Sequence, residues 1–165
     1  MSTKCRYCGS KDVAVQDSYI TGGLCVSCAQ GVLSKRDNAR RFINSFIEPI
    51  LFLQDDPRLV VMANQNASFA LGKKLAHIQG KKGGQVFGCA HSYSEPGCGL
   101  DPNCRDCAIK KAIVDTLVEK KPSTKIYSLL NVLGPDQIVP YHLEIRTEPI
   151  GDFALVRIDR YAPAE

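Results

Sequence analysis

The chain has 165 residues, of which 44% are hydrophobic and 23% are charged, a composition typical of a globular protein. No apolar run approaches the roughly 20 residues that a membrane-spanning helix needs, and the polar first residues lack the apolar centre of a secretory signal. We therefore expect a cytoplasmic protein that does not associate with membranes, in which cysteines stay reduced and bind metal more often than they form disulfides.

The net charge of +4 is concentrated in residues 1–41, which hold seven Lys or Arg against three Asp. Residues 42–165 hold equal numbers of acidic and basic side chains. A basic segment can contact nucleic acid or an acidic partner. A surplus of this size is also common on an ordinary solvated surface, which is the simpler interpretation.

The first part of the chain carries two C-x2-C pairs, separated by sixteen residues: Cys5, Cys8, Cys25 and Cys28. In each pair, the two intervening residues let both sulfurs point towards a shared ion, and Gly9 allows the chain to turn. Four thiolates complete a tetrahedral zinc site and leave no position open for a substrate. The spacing therefore predicts a structural zinc finger over residues 1–34, of the zinc-ribbon or treble-clef type.

Metal binding must supply most of the stability of this finger, because so short a segment buries too little apolar surface to fold alone. A redox-active dithiol or another metal is the alternative for these cysteines. We expect no catalysis at this zinc, because closed four-cysteine sites usually serve as scaffolds that present a surface to protein or nucleic acid.

A connecting amphipathic helix is predicted over residues 35–48, with Pro49 ending it. Apolar side chains recur there at helical spacing, and basic and polar side chains occupy the other side. The apolar stripe comprises Ala39, Phe42, Ile43, Phe46 and Ile47. We expect this stripe to pack on the following domain or to form the seam of a homodimer.

The main domain is predicted over residues 49–161. Two strands come first, with a turn at Asp55-Asp56-Pro57, and a short helix follows, capped by Asn64 and ended by Gly72. A longer helix starts after the central cysteines, and three strands close the domain, the last two joined by a hairpin at Gly151-Asp152. The predicted architecture is α+β: a five-stranded antiparallel sheet with its helices on one face.

This order of elements resembles the PAS (Per-Arnt-Sim) sensory fold. The resemblance lies in the stretch "PILFLQDDPRLVVMANQNASFALG", where strand, turn and strand precede an Asn-rich helix start, and in the three closing strands. It covers about 120 residues, most of the chain. It implies a sensory or protein-interaction module, with any ligand between the sheet and the helices, and it names no particular ligand.

The stretch "GCAHSYSEPGCGLDPNCRDC" gathers four more cysteines: Cys89, Cys98, Cys104 and Cys107. A similar arrangement is found in PAS domains of some bacterial sensor kinases. We expect Asp101 and Pro102 to start a helix that holds Cys104 and Cys107 on one face, near the positive end of its dipole. The neighbouring glycines should let the chain bend at Cys98, and His91 is a substitute ligand for Cys89.

Three interpretations of this second group remain open at the level of sequence. It is a second structural zinc site, a redox-responsive centre (an iron–sulfur cluster or a dithiol–disulfide switch), or a set of reduced cysteines that bind nothing. The stretch "GKKGGQ", residues 80–85, lacks the spacing of a phosphate-binding loop, and we interpret it as an exposed turn.

The function we predict is that of a sensory or adaptor module, without enzymatic activity, that signals to a protein partner. No kinase or cyclase segment follows the last strand in this sequence, so we expect the signal to pass through surfaces. The alternative is a nucleic-acid-binding transcriptional regulator that acts through the finger and the basic linker. An enzyme with a catalytic zinc ranks last, since no open coordination site with a general base is evident.

Overall fold

The computed structural model describes residues 36–55 and 58–165 of the chain. The predicted zinc finger at residues 1–34, with Cys5, Cys8, Cys25 and Cys28, lies outside the described residues. No helix in the described part of the chain combines the length and the apolar character needed to cross a membrane.

Four helices and five strands form the described part of the chain. In chain order they are α1 (Arg36–Asn44), β1 (Ile50–Gln54), β2 (Val60–Ala63), α2 (Gln65–Leu71), α3 (Gly83–Val86), α4 (Ala108–Val118), β3 (Ser123–Leu133), β4 (Ile138–Ile150) and β5 (Phe153–Pro163). Short 3-10 turns interrupt the connections at Leu75–His77, Ala90–Tyr93 and Pro102–Cys104.

The strands form one antiparallel sheet in the order β2-β1-β5-β4-β3. Strand β5 therefore lies at the centre of the sheet, between β1 and β4. The turn at Gly151-Asp152 joins β4 to β5 and pairs Ile150 with Phe153. The predicted five-stranded antiparallel sheet is confirmed, as are the strand pair before α2 and the three strands after α4.

The main core lies on one face of this sheet. Alternate residues of the strands point into it, among them Leu51, Leu143 and Val156, which are fully or almost fully buried. Helices α2, α3 and α4 cover this face, with Ile113 of α4 in the same apolar cluster. The prediction that the helices share one face therefore holds for the helices that follow β2.

The connecting helix α1 packs on the opposite face of the sheet. Ile43 of α1 is fully buried against Ile50, Phe52 and Leu155, whose neighbours along the strands point into the main core. Strands β1 and β5 are central enough to be apolar on both faces, so they offer the apolar stripe of α1 a surface within its own chain. The helix also ends at Asn44, before the predicted end at residue 48.

The Asn64 side chain joins α1, β1 and α2 at one buried point. Its amide nitrogen donates to the carbonyls of Ile43 at 2.9 Å and Glu48 at 2.8 Å. Its amide oxygen accepts from the backbone nitrogens of Ile50 at 3.0 Å and Ala67 at 2.8 Å, the second bond being the predicted cap of α2. All the hydrogen-bonding capacity of this fully buried amide is used.

We expect Asn64→Ala to lower the free energy of unfolding by about 2–3 kcal/mol, because it leaves buried backbone donors and acceptors without partners. Urea unfolding followed by circular dichroism measures this loss. Asn66→Ala is the matched control: Asn66 is exposed and donates to the Phe46 and Ile47 carbonyls, so its loss should cost less than about 1 kcal/mol. Equal losses in the two variants would contradict a special role for Asn64.

Candidate functional site: a cavity lined by four cysteines

A cavity of about 250 Å³ lies against the core face of the sheet, and all four central cysteines line it. We call it the four-cysteine cavity. The thiols belong to Cys89, Cys98, Cys104 and Cys107, which span nineteen positions of the chain. Its apolar wall comes from β1, β3, α4 and the end of α3, through Leu53, Leu130, Ile109, Ile113 and Phe87.

Contacts with the sheet fix the chain at the start of the cysteine segment. The Leu133 backbone nitrogen donates to the Gly88 carbonyl at 2.8 Å, and the Tyr161 hydroxyl donates to the Phe87 carbonyl at 2.7 Å. Cys89 forms an isolated antiparallel bridge with Val132. Burial raises the pKa of Tyr161 to about 12, so its hydroxyl remains a donor throughout the physiological pH range.

Cys98 reaches the cavity through a bend at the glycines that flank it. Gly97 and Gly99 have φ angles of 78° and 88°, in the left-handed region that side-chain-bearing residues rarely adopt. The Gly84 backbone nitrogen donates to the Cys98 sulfur at 3.3 Å. A Cβ atom at Gly84 would lie 2.7 Å from this sulfur, so Cys98 occupies its place only because residue 84 has no side chain.

Cys104 and Cys107 do not share a helix, which corrects the sequence prediction. Asp101 and Pro102 do start a helical segment, and the Asp101 carboxylate accepts from Asn103, but the segment is a 3-10 turn that ends at Cys104. Cys107 precedes α4 as its N-cap, where its sulfur accepts from the Lys110 backbone nitrogen at 3.5 Å. The break between the two elements lets both sulfurs reach the cavity.

Burial raises the pKa of the Cys89 thiol above its ordinary value, and the nearby thiols of Cys104, Cys98 and Cys107 raise it further. Burial also raises the pKa of the Cys98 thiol, against the opposing effect of the hydrogen bond from Gly84. Both groups are therefore neutral thiols at physiological pH, and reagents that attack thiolates should modify them slowly.

Three cationic side chains also line the cavity: Arg58, Lys82 and Lys110. The lining residues within the described part of the chain include no Asp or Glu. The Lys110 ammonium donates to the Gly99 carbonyl at 3.0 Å. The Arg58 Nε atom is buried and has no hydrogen-bond partner within the part of the chain that the structure describes. The described wall of the cavity thus combines four thiols with three cationic side chains.

His91, the proposed substitute ligand, does not line the cavity. Its Nδ1 atom lies 3.8 Å from a carboxylate oxygen of Asp101. Hydrogen bonds from the Ser94 hydroxyl and the Asn103 backbone lower the pKa of that Asp101 carboxyl. The histidine therefore faces an acidic cap at the edge of the segment, while the four cysteines face inward.

The described residues contain no group of three or more His, Cys, Asp or Glu side chains that could surround a single metal ion. The four central cysteines share a cavity but are not gathered about one point. The second zinc site and the iron–sulfur cluster both stay predictions on this geometry. Zinc at the first four cysteines also stays a prediction, because those residues lie outside the described part.

Sequence reasoning missed part of this site. Residues 80–85 are not an exposed turn throughout: Gly83 begins α3, and Lys82, Gly83 and Gly84 line the cavity. The adjacent glycines Gly83 and Gly84 indicated that another segment packs closely against this helix, since a helix rarely contains two adjacent glycines without a packing reason. Arg58 gave no local signal, because it follows an ordinary turn.

Solved structures that are similar to this chain include a LOV protein and two PAS domains. The Rhodobacter sphaeroides LOV protein has a TM-score of 0.51 and 15% identity, with 79% of this chain and 67% of that chain covered. The PAS domain of nitrogen regulation protein NR(II) from Vibrio parahaemolyticus gives a TM-score of 0.47 and 14% identity, with 74% and 96% covered. The PAS domain from Bordetella pertussis BvgS gives 0.44 and 12%, with 78% and 85% covered.

The fold is PAS-like. At these identities the likeness concerns the fold alone, and it confirms the resemblance inferred from the order of elements. The sequence matches no protein-family model, and none of the curated proteins matches it. In this PAS-like domain, the four-cysteine cavity lies between the sheet and the helices, where the resemblance placed any ligand.

We expect Gly84→Ala to displace Cys98 from the cavity wall, because the added methyl group would overlap its sulfur. The Cys98 thiol should then react with iodoacetamide roughly tenfold faster than in the unmodified protein, as burial no longer suppresses its thiolate. Peptide mass spectrometry at timed intervals measures this rate. Gly83→Ala is the matched control, since a Cβ atom there meets nothing within 4 Å. Equal Cys98 rates in both variants would contradict the close packing inferred here.

Proposed function

We propose that this chain is a sensory module whose input site is the four-cysteine cavity, and that it acts by binding rather than by catalysis. The observation that supports this proposal is the meeting of four thiols from separate turns and helix ends on one cavity wall. Apolar packing alone would be served better by aliphatic side chains than by thiols beside cations. The thiols would respond to the availability of a metal ion or cluster, or to the redox state of the cell.

The proposed signal would pass from the cavity into α4. Cys107 caps this helix, so a ligand that draws its sulfur inward would shift the first turn. Helix α4 packs against β3 and β4, and its Thr116 hydroxyl is 2.6 Å from the Thr147 hydroxyl of β4. This buried contact would transmit a displacement of the helix to the closing strands of the sheet.

A protein partner or a second copy of the chain would receive the signal. We propose a homodimer through residues 35–48, on the side of α1 that its own sheet does not cover. Arg40 and Arg41 are exposed on that side, whereas Ala39 and Ile43 are buried within the chain. We also propose a structural zinc at the first four cysteines and a cytoplasmic location.

The described residues give no support to the alternative of a nucleic-acid-binding regulator. Among them, Arg40 and Arg41 are the exposed cations of the basic linker, and no helix beside them presents a further basic face. The finger that would contact nucleic acid lies outside the described residues. We therefore propose only the sensory function.

The proposal predicts that filling the cavity protects α4 from hydrogen exchange. Full-length protein is prepared without oxygen and compared with the same protein after treatment with a chelator. We expect amides of residues 104–118 to exchange at least about tenfold more slowly in the loaded protein, because a ligand that binds Cys107 suppresses local opening. Light scattering on the same samples measures the oligomeric state.

The Cys104→Ser/Cys107→Ser variant provides the control for this experiment. The serines keep hydrogen-bonding groups of similar size, so the fold should survive. Because the variant can no longer bind the ligand, its anaerobic and chelator-treated samples should exchange at the same rate. Unchanged exchange and unchanged oligomeric state in the unmodified protein, under reducing, oxidising and chelating conditions alike, would overturn the sensory proposal.

A further inference from the structure

We propose that the four-cysteine cavity binds a small organic carboxylate with an apolar body, and that Arg58, Lys82 and Lys110 bind the carboxylate group. This inference rests on the proposed function, because it names a ligand class for the same input site. Different results refute the two, since a cavity that binds no carboxylate can still respond to redox state through its thiols.

The size of the cavity fits a compact organic molecule. Its volume is about 250 Å³. An apolar protein cavity of about 150 Å³ is large enough to bind benzene, so this cavity has room for one ring, or a chain of similar volume, together with a carboxylate. Pockets for drug-sized ligands have volumes of roughly 300–1,000 Å³, which argues against a ligand with several rings.

Most of the cavity wall is apolar, which favours an apolar body for the ligand. Leu53, Leu130 and Ile113 contribute aliphatic side chains from β1, β3 and α4, and Phe87 contributes an aromatic ring. The reduced cysteines extend this surface, because a neutral thiol behaves as a small, polarisable apolar group. Transfer of a ring or chain from water to this wall is therefore favourable.

Three cations interrupt the apolar wall, and they favour a negative charge on the ligand. The side chains of Arg58, Lys82 and Lys110 line the cavity, and no Asp or Glu lines it within the part of the chain that the structure describes. All three cations are half-buried, whereas their neighbours Lys81 and Lys111 are exposed. Partial burial strengthens the attraction of each cation for an anion, because water screens the interaction less.

Arg58 supplies a hydrogen-bond donor for the ligand. Its Nε atom is buried and has no hydrogen-bond partner among the residues that the structure describes. An unsatisfied buried donor costs free energy, and native structures contain few of them. A carboxylate is a well-matched acceptor for a guanidinium group, because its two oxygens accept two parallel N–H bonds.

The position of Lys110 is fixed by a bond to the loop that carries Cys98. The Lys110 ammonium donates to the Gly99 carbonyl at 3.0 Å. This bond uses one of the three N–H donors of the ammonium, so a ligand can accept from the others. Because the side chain is already ordered, it loses little conformational freedom when a ligand binds.

A carboxylate fits this wall better than a phosphate. It carries one negative charge, whereas a phosphate monoester carries about −1.5 to −2 at neutral pH. Removing charge from water costs free energy, and the wall beyond the three cations is mostly apolar. A singly charged group therefore gains the pairing with the cations at the lower desolvation cost.

The test is the binding of phenylacetate to the reduced full-length chain, measured by isothermal titration calorimetry. Phenylacetamide is the matched ligand, because it has the same ring and nearly the same shape but no charge. We expect phenylacetate to bind with a Kd below about 1 mM, and at least about tenfold more tightly than phenylacetamide. Acetate, which lacks the ring, should also bind at least about tenfold more weakly than phenylacetate.

Nuclear magnetic resonance locates the bound phenylacetate. We expect amide shifts to change mainly at residues 82–84 and 98–110, which border the cavity. Shift changes confined to other surfaces would overturn the inference. Equal affinity for phenylacetate and phenylacetamide, or the absence of saturable phenylacetate binding, would overturn it as well.

The cations are tested one at a time. We expect Arg58→Gln and Lys110→Gln each to weaken phenylacetate binding roughly tenfold, because each removes a charge-assisted hydrogen bond. Lys111→Gln is the matched control, since Lys111 is exposed, lies next to Lys110 in α4 and does not line the cavity. Circular dichroism shows whether each variant is folded. Equal affinity in the three folded variants would contradict the role of the cations.

Hydrogen exchange separates this inference from the proposed function. Exchange at residues 104–118 is compared with and without saturating phenylacetate, and between reduced and oxidised protein. No phenylacetate binding, together with redox-dependent exchange, would refute the inference and leave the sensory function standing. Phenylacetate binding with the same exchange and the same oligomeric state under every condition would refute the sensory function and leave the carboxylate site standing.

Discussion

Two hydrogen bonds at the end of α3 attach the cysteine segment to the sheet, and the positions of the four thiols depend on them. Between α3 and α4 the helical elements are two short 3-10 turns. Such turns are too short to be stable without contacts to the rest of the domain. The bonds from Leu133 and Tyr161 fix Gly88 and Phe87 at one end, and α4 fixes the other end. All four central cysteines lie between these two anchors, so the shape of the cavity depends on how this loop is anchored.

The four-cysteine cavity differs from an ordinary apolar core in its balance of charge. Burial raises the pKa of the Cys89 and Cys98 thiols, which lie on the same wall as three cations, and the described residues of this wall include no Asp or Glu. Such a wall has more to gain from an anionic ligand than an aliphatic wall would. The apolar side chains that surround it lower the local dielectric constant, which strengthens each of these interactions.

The sequence predicted the features that depend on residues close together in the chain, and it missed those that depend on tertiary packing. The strand pair, the Asn64 cap of α2 and the hairpin at Gly151-Asp152 depend on neighbouring residues, and all three are confirmed. The separation of Cys104 from Cys107 was missed, because a 3-10 turn and the first turn of an α-helix share the same cap signals. The sequence made no prediction about which face of the sheet α1 covers, because that depends on which strands lie at the centre.

The sequence by itself determined the order of the elements, the PAS-like architecture and the cysteines worth examining, since alternation, caps and turn residues act over a few positions. Only the tertiary structure decided that four cysteines share one cavity, that Lys82 and Lys110 meet there, and that His91 faces Asp101 instead. It also brought Arg58, which precedes β2 and is distant in sequence from these cysteines, to the same wall. These contacts join residues that no local pattern relates, because only the packing of helices on a twisted sheet sets the distances between them.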